Sequence, residues 1–174
     1  MKINKITFPL ALIFGLLFAL SAFAQSQTFS DENADYTFDL PNTTWKMAFK
    51  PTVTNPNVEY IYGDRRDGYL KIRKLSFREG DLLADLIERE EQKIQFSKGF
   101  VAGKQENFSG NLDGTVFNYE FLDSGRSMSG RYYFLKADKS TVYVLMFTGE
   151  RDKLRSIRNY TDSIARTFEL KKSK

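Results

Sequence analysis

Three consecutive segments constrain the fold of this chain most: "TVFNYEFL" (115–122), "SMSGRYYFLK" (127–136) and "STVYVLMF" (140–147). Each is rich in β-branched and aromatic residues, and the links "DSGR" and "ADK" carry turn chemistry, so they read as three antiparallel strands. With Ser124 and Gly125 as the turn, Tyr119 lies opposite Gly130 and Phe117 opposite Tyr132, and an aromatic ring covers the bare glycine. Sorting side chains by alternation places Phe117, Tyr119, Phe121, Tyr132, Phe134, Tyr143, Leu145 and Phe147 on one face. Val116, Leu122, Tyr133, Leu135, Val142, Val144 and Met146 fall on the other. Both faces are apolar, and such a sheet must be covered on both sides.

The cover is sought in two amphipathic stretches. From Asp81 to Phe96, Leu82, Leu83, Leu86, Ile87 and Ile94 recur at helical spacing, with Asp81 placed to serve the helix N-terminus. After "TGE", Leu154, Ile157, Tyr160, Ile164 and Phe168 recur at steps of three or four, which predicts one closing helix. Ahead of the first helix, "DYTFDL" alternates as a half-buried strand, stops at Pro41 and a polar turn, and restarts at Trp45 in "WKMAFK". A tryptophan directly after such a turn is expected to pack over one end of the sheet. "VEYIY" and "YLKIRKL" add two strands around the turn "GDRRDG". The glycine-rich "SKGFVAGKQENFSGNLDG" reads as a loop with an edge strand near Lys104–Phe108. The expected class is α+β, an antiparallel β-sheet covered by helices on both faces.

Residues 1–24 stand outside this domain. Lys2 and Lys5, the apolar run "ITFPLALIFGLLFAL" and "AFA" ending at Ala24 form a secretory signal peptide with cleavage expected after Ala24. The run carries Pro9 and is short for a bilayer span, so no transmembrane segment is expected after cleavage. Residues 25–33 read as a flexible N-terminus, 34–170 as one domain, and 171–174 as a basic tail. Two of the 26 basic residues fall in the signal segment, which leaves 24 against 22 acidic ones and a nearly balanced mature chain. The expected location is periplasmic or extracellular.

"YTFDLPNTTW", "STVYVLMFTGE" leading into the last helix, and "DSIARTFEL" closing it resemble the PsbP-like superfamily over residues 34–170. The resemblance implies an antiparallel sheet sandwiched by helices. It implies little about activity, because members serve as assembly factors, extrinsic subunits or binding partners, and it carries over no functional residue.

The chain has neither histidine nor cysteine, so the commonest general base, metal ligand and thiol nucleophile are missing. No G-x-S-x-G and no Ser-x-x-Lys occurs. Asp31, Asn33 and Asp35 match the first positions of an EF-hand loop, but Tyr36 stands where glycine is needed and Asn42 where the closing glutamate belongs. No catalytic residue, cofactor or metal is therefore expected. The most unusual composition is "GDRRDGYLKIRKLSFREG", which gathers Arg65, Arg66, Lys71, Arg73, Lys74 and Arg78 in one short stretch. Alternation puts Lys71 and Arg73 beside Tyr69 on one strand face. Either this is an edge strand protected by charge, or Arg65, Arg66, Lys71 and Arg73 form an anion-binding surface for an envelope protein, an anionic lipid or a polysaccharide. Export makes nucleic acid an unsuitable partner. The expected function is a non-catalytic binding or accessory protein of the cell envelope. The alternatives are a carboxylate-dependent hydrolase of envelope material and a carrier of a small apolar ligand.

Overall fold

The computed structural model describes residues 26–76 and 81–172, so the expected signal peptide with its cleavage site, Arg78 and the last two residues of the tail lie outside the described residues. Strand β1 (Gln27–Ser30) pairs antiparallel with β2 (Tyr36–Leu40). This corrects the reading of residues 25–33 as a loose terminus. The reason is a single side chain: Phe29 is buried and stacks on Phe38 at 4.9 Å between centroids, which anchors an otherwise polar segment.

A larger sheet is built from β3 (Trp45–Phe49), β4 (Val58–Tyr62), β5 (Tyr69–Ser76), β6 (Val101–Phe108), β7 (Gly114–Asp123), β8 (Arg126–Lys136) and β9 (Thr141–Glu150). Its seven strands run in the order β3-β4-β5-β9-β8-β7-β6, every neighbouring pair antiparallel. Helix α1 (Leu83–Ile94) connects β5 to β6. Its first turn is closed by Asp85, whose carboxylate accepts the Leu82 N–H at 3.0 Å, while Asp81 pairs instead with Arg89 at 3.2 Å. The closing segment is two helices, α2 (Arg151–Ser156) and α3 (Arg158–Thr167), broken at Ile157 (φ −102°, ψ 15°), before β10 (Glu169–Leu170) pairs with β2. The expected single helix is corrected accordingly.

The β7–β8 hairpin has the expected register, Tyr119 opposite Gly130 and Phe117 opposite Tyr132. Ser124 (φ 51°) and Gly125 (φ 78°) both take positive φ, the two-residue turn whose twist matches the flanking strands. A Cβ on Gly130 would stand 2.1 Å from the Tyr119 ring, so only glycine admits that ring. The β8–β9 register is even, with Phe134 opposite Val144 and Lys136 opposite Val142. It is set by the turn, where the N–H groups of Ala137 and Asp138 both donate to the Thr141 carbonyl. Val142, Val144 and Met146 therefore join Phe117, Tyr119, Tyr132 and Phe134, while Tyr143, Leu145 and Phe147 join Val116, Tyr133 and Leu135, the reverse of the expected sorting of β9.

Each face has its own core. The first gathers Trp45, Tyr60, Leu70, Ile72, Tyr133 and Phe147 with Leu154 and Ile157, Ile164 and Phe168, and with Phe29, Phe38 and Leu40 of the small sheet. That small sheet shares the cover with α2 and α3. On the second face, Leu86 and Ile87 of α1 pack with Phe117, Phe134, Val142 and Val144. Among the described residues no helix is long and apolar enough to cross a membrane.

Candidate binding surfaces

Four of the cations singled out by the sequence are split by the structure into two pairs. Arg65 and Arg66 sit exposed on the β4–β5 turn. Asp64 builds that turn: its carboxylate accepts the Arg66 N–H at 2.9 Å and its carbonyl the Asp67 N–H at 3.0 Å. The Arg66 carbonyl then accepts the Glu150 N–H at 2.7 Å, which ties the turn to the end of β9. The Arg65 guanidinium lies 4.4 Å over the Tyr69 ring. Both arginines border an open concavity of about 600 Å³ that is lined also by Tyr69, Phe121, Met128 and Thr148 and by the acids Asp64 and Asp123.

Lys71 and Arg73 have internal partners. Lys71 pairs with Glu59 at 3.1 Å, and Arg73 with Glu90 of α1 at 3.0 Å. Burial pushes the Glu59 carboxyl up, yet hydrogen bonds from Tyr69 and Lys71 outweigh it and hold the group below the usual carboxylate range. Glu90 is only 4% exposed and also binds Lys93, so Arg73 compensates a buried charge. Strand β5 is not an edge strand. It lies between β4 and β9, and its charges are there to pair with Glu59 and Glu90, which overturns edge protection as their explanation.

A second concavity, about 500 Å³, opens on the other face between α2 and the β6–β8 side of the sheet. Its floor includes Asn118, Glu120, Ser129 and Arg131, and its wall Arg151, Leu154, Arg155 and Arg158. Arg131 is nearly buried. Its Nε donates to the Tyr133 hydroxyl at 2.6 Å, Nη1 to Asn118 at 2.6 Å and Nη2 to Asp162 at 2.8 Å. The Asn118 amide in turn donates to the Lys104 carbonyl at 3.4 Å, in the irregular stretch of β6 between Ala102 and Gln105. Sequence reasoning missed this site. Arg151, Arg155 and Arg158 stand at helical spacing around the buried Leu154, which was a readable signal, whereas Arg131 is remote from them along the chain and joins them only in the fold.

Among the described residues Glu120 is the one carboxylate bordering this second concavity. Asp31 accepts the Asn33 N–H at 2.9 Å and pairs with Lys50 at 3.4 Å, and Asp35 pairs with Lys74 at 2.6 Å, so the acids of the EF-hand-like stretch have structural partners.

The sequence matches no protein-family model and no curated protein. Solved structures do match. The cyanobacterial PsbP (CyanoP) of Synechocystis sp. PCC 6803 superposes with a TM-score of 0.60 at 14% identity, covering 87% of this chain and 95% of that one. The Ran-binding protein Mog1p of Saccharomyces cerevisiae gives 0.61 at 8% identity, over 84% and 96%. LpqN of Mycobacterium tuberculosis, involved in cell envelope biogenesis, gives 0.54 at 12% identity, over 85% and 92%. At such identities the likeness speaks of architecture, and the architecture of this chain is the PsbP/Mog-like α+β fold.

Proposed function

We propose that this chain is an exported accessory protein of the cell envelope that acts by binding, without catalysis, and that it meets an anionic envelope component through Arg65 and Arg66. The observation that carries this reading is the pair of exposed guanidinium groups on a turn held by Asp64 and Glu150, beside an open aromatic shelf. A rigid turn loses little entropy on capture, and the Tyr69 and Phe121 rings offer apolar surface next to the charge. Neighbours of the same fold include a Ran-binding protein and an envelope-biogenesis protein, which supports a binding role over a catalytic one.

The test is retention on phosphatidylglycerol vesicles. The Arg65→Gln/Arg66→Gln protein is expected to lose most of its retention while its stability changes by no more than about 0.5 kcal/mol per substitution. Retention by the parent chain should fall as salt rises, since exposed charges are screened beyond about 8 Å at physiological ionic strength. Arg73→Gln should do the opposite: binding persists, but Glu90 loses a partner and stability drops by about 1–2 kcal/mol, a figure reduced for the partial exposure of Arg73. Undiminished retention in the double variant overturns the assignment.

Export makes a separate prediction. The intact mass of the secreted product is expected to match a chain beginning at Gln25, from the small-x-small site ending at Ala24. A product that retains Met1 refutes the location.

A further inference from the structure

We propose that the arginine-lined concavity between α2 and strands β6–β8 is a binding site for a small multivalent oxyanion, a ligand carrying two or more phosphate or carboxylate groups. It is distinct from the β4–β5 turn and does not depend on it. Among the described residues, four guanidinium groups, Arg131, Arg151, Arg155 and Arg158, border it against one carboxylate, Glu120. Guanidinium forks match the geometry of such anions, and a volume of about 500 Å³ suits a small ligand.

The donors there are incompletely used. Arg131 directs three of a guanidinium's five N–H groups to Tyr133, Asn118 and Asp162, which fix its plane and leave two to give. The Nε of Arg151 is buried without a hydrogen-bond acceptor, with a carboxylate oxygen of Asp152 3.7 Å away. The remaining ion pairs of the wall are long: Arg151 to Glu120 at 3.5 Å, Arg155 to Asp152 at 3.8 Å, Arg158 to Glu106 at 3.7 Å and to Asp162 at 4.0 Å. All of them exceed the length of a charge-assisted hydrogen bond, so these exposed pairs are weak competitors for an incoming anion.

Valence follows from the number of cations. Four guanidinium groups border the concavity, Arg131 on β8, Arg151 and Arg155 on α2 and Arg158 beyond the break at Ile157, and a single phosphate or carboxylate cannot take forked pairs from all of them. Two anionic groups on one small body can, one above Arg131 and Arg151 and one toward Arg155 and Arg158.

Isothermal titration with inorganic pyrophosphate and, separately, citrate tests the site, with amide shifts of Ser129, Gly130 and Arg151 followed by NMR. Saturable one-to-one binding that perturbs those amides is expected from at least one probe. Pyrophosphate alone marks a phosphate ligand, citrate alone a polycarboxylate, and both together recognition by charge. Arg155→Gln and Arg158→Gln remove exposed side chains that the fold does not need, and each should weaken binding about tenfold, the loss of one charge-assisted hydrogen bond. Glu120→Gln should tighten it, because it removes the one competing carboxylate of the lining. Arg65→Gln/Arg66→Gln should leave it unchanged, which separates this site from the vesicle-binding turn. The site is refuted if neither probe binds, or if the wall variants bind like the parent.

Discussion

Replacing Trp45 with alanine is expected to cost about 3–5 kcal/mol, the usual loss for a large buried aromatic, and to be the most damaging single substitution in the chain. Trp45 is 2% exposed and closes the β3 end of the first-face core. Its ring lies 5.2 Å from that of Tyr62 and 5.9 Å from that of Phe147. The neighbourhood is tight: a Cβ on Gly68 would come within 2.8 Å of Ile157 Cδ1, so the walls have little freedom to collapse into the space the indole leaves. For a domain without a disulfide, holding about 5–15 kcal/mol in all, that loss is a large fraction of stability. The indole Nε1 is buried without a hydrogen-bond partner, so Trp45→Phe should cost far less, since it surrenders volume but removes an unsatisfied donor. Urea unfolding of the three proteins measures both. A Trp45→Ala change below about 1 kcal/mol would mean that the ring is not part of the core.

Local chemistry made part of this fold readable and hid the rest. The β7–β8 register was legible because Ser124-Gly125 is turn chemistry midway between two strand-like runs, and Trp45 because a proline break and polar turn deliver it to a sheet end. The face of β9 was not, because it hangs on two hydrogen bonds to the Thr141 carbonyl that no composition announces, and a one-residue shift reverses every side chain. Strand β1 was missed because Phe29 is the lone apolar residue in a polar stretch, so the whole strand hangs on one ring packed on Phe38 and Tyr60 and shows no alternating pattern. Strand β5 looked like an edge because charge suggests exposure. Its neighbours β4 and β9 enclose it, and Glu59 and Glu90 absorb its lysine and arginine. The same separation along the chain explains the candidate sites: Arg65 and Arg66 are adjacent in sequence and stay together, whereas Arg131 meets Arg151, Arg155 and Arg158 only through the pairing of β8 with β9 and the return of α2.

Stability should be nearly flat from about pH 5 to 9 and then collapse cooperatively between about pH 10 and 12. The plateau follows from composition: with no histidine and no cysteine, no side chain has a reference pKa inside that window. The collapse follows from burial. Tyr36, Tyr60, Tyr119, Tyr132, Tyr133 and Tyr143 are each no more than 4% exposed. Desolvation pushes all six phenols above their ordinary value of 10, Tyr60 to about 12. Near Tyr133 and Tyr143 the carboxylates of Asp162 and Asp35 add to the effect, although Arg131 opposes it at Tyr133. A folded-state pKa above the unfolded one means that the native chain holds protons the unfolded chain has released, so stability is complete below pH 10 and is lost as pH rises toward the folded values. Each such tyrosine contributes about 1.4 kcal/mol per pH unit in that interval, and two or three suffice to exhaust a stability of ordinary size within two units. Tyrosinate absorbance and far-UV circular dichroism, followed together, should therefore change at the same pH. Tyr119 and Tyr132 sharpen the test, since their hydroxyls bond each other at 2.7 Å inside the second-face core. Changing both to phenylalanine removes two buried ionisable groups along with the bond between them, and should move the alkaline midpoint upward while altering stability at pH 7 little. Tyrosinate forming near pH 10 in a chain that keeps its native circular dichroism would show that these phenols reach water in the folded state.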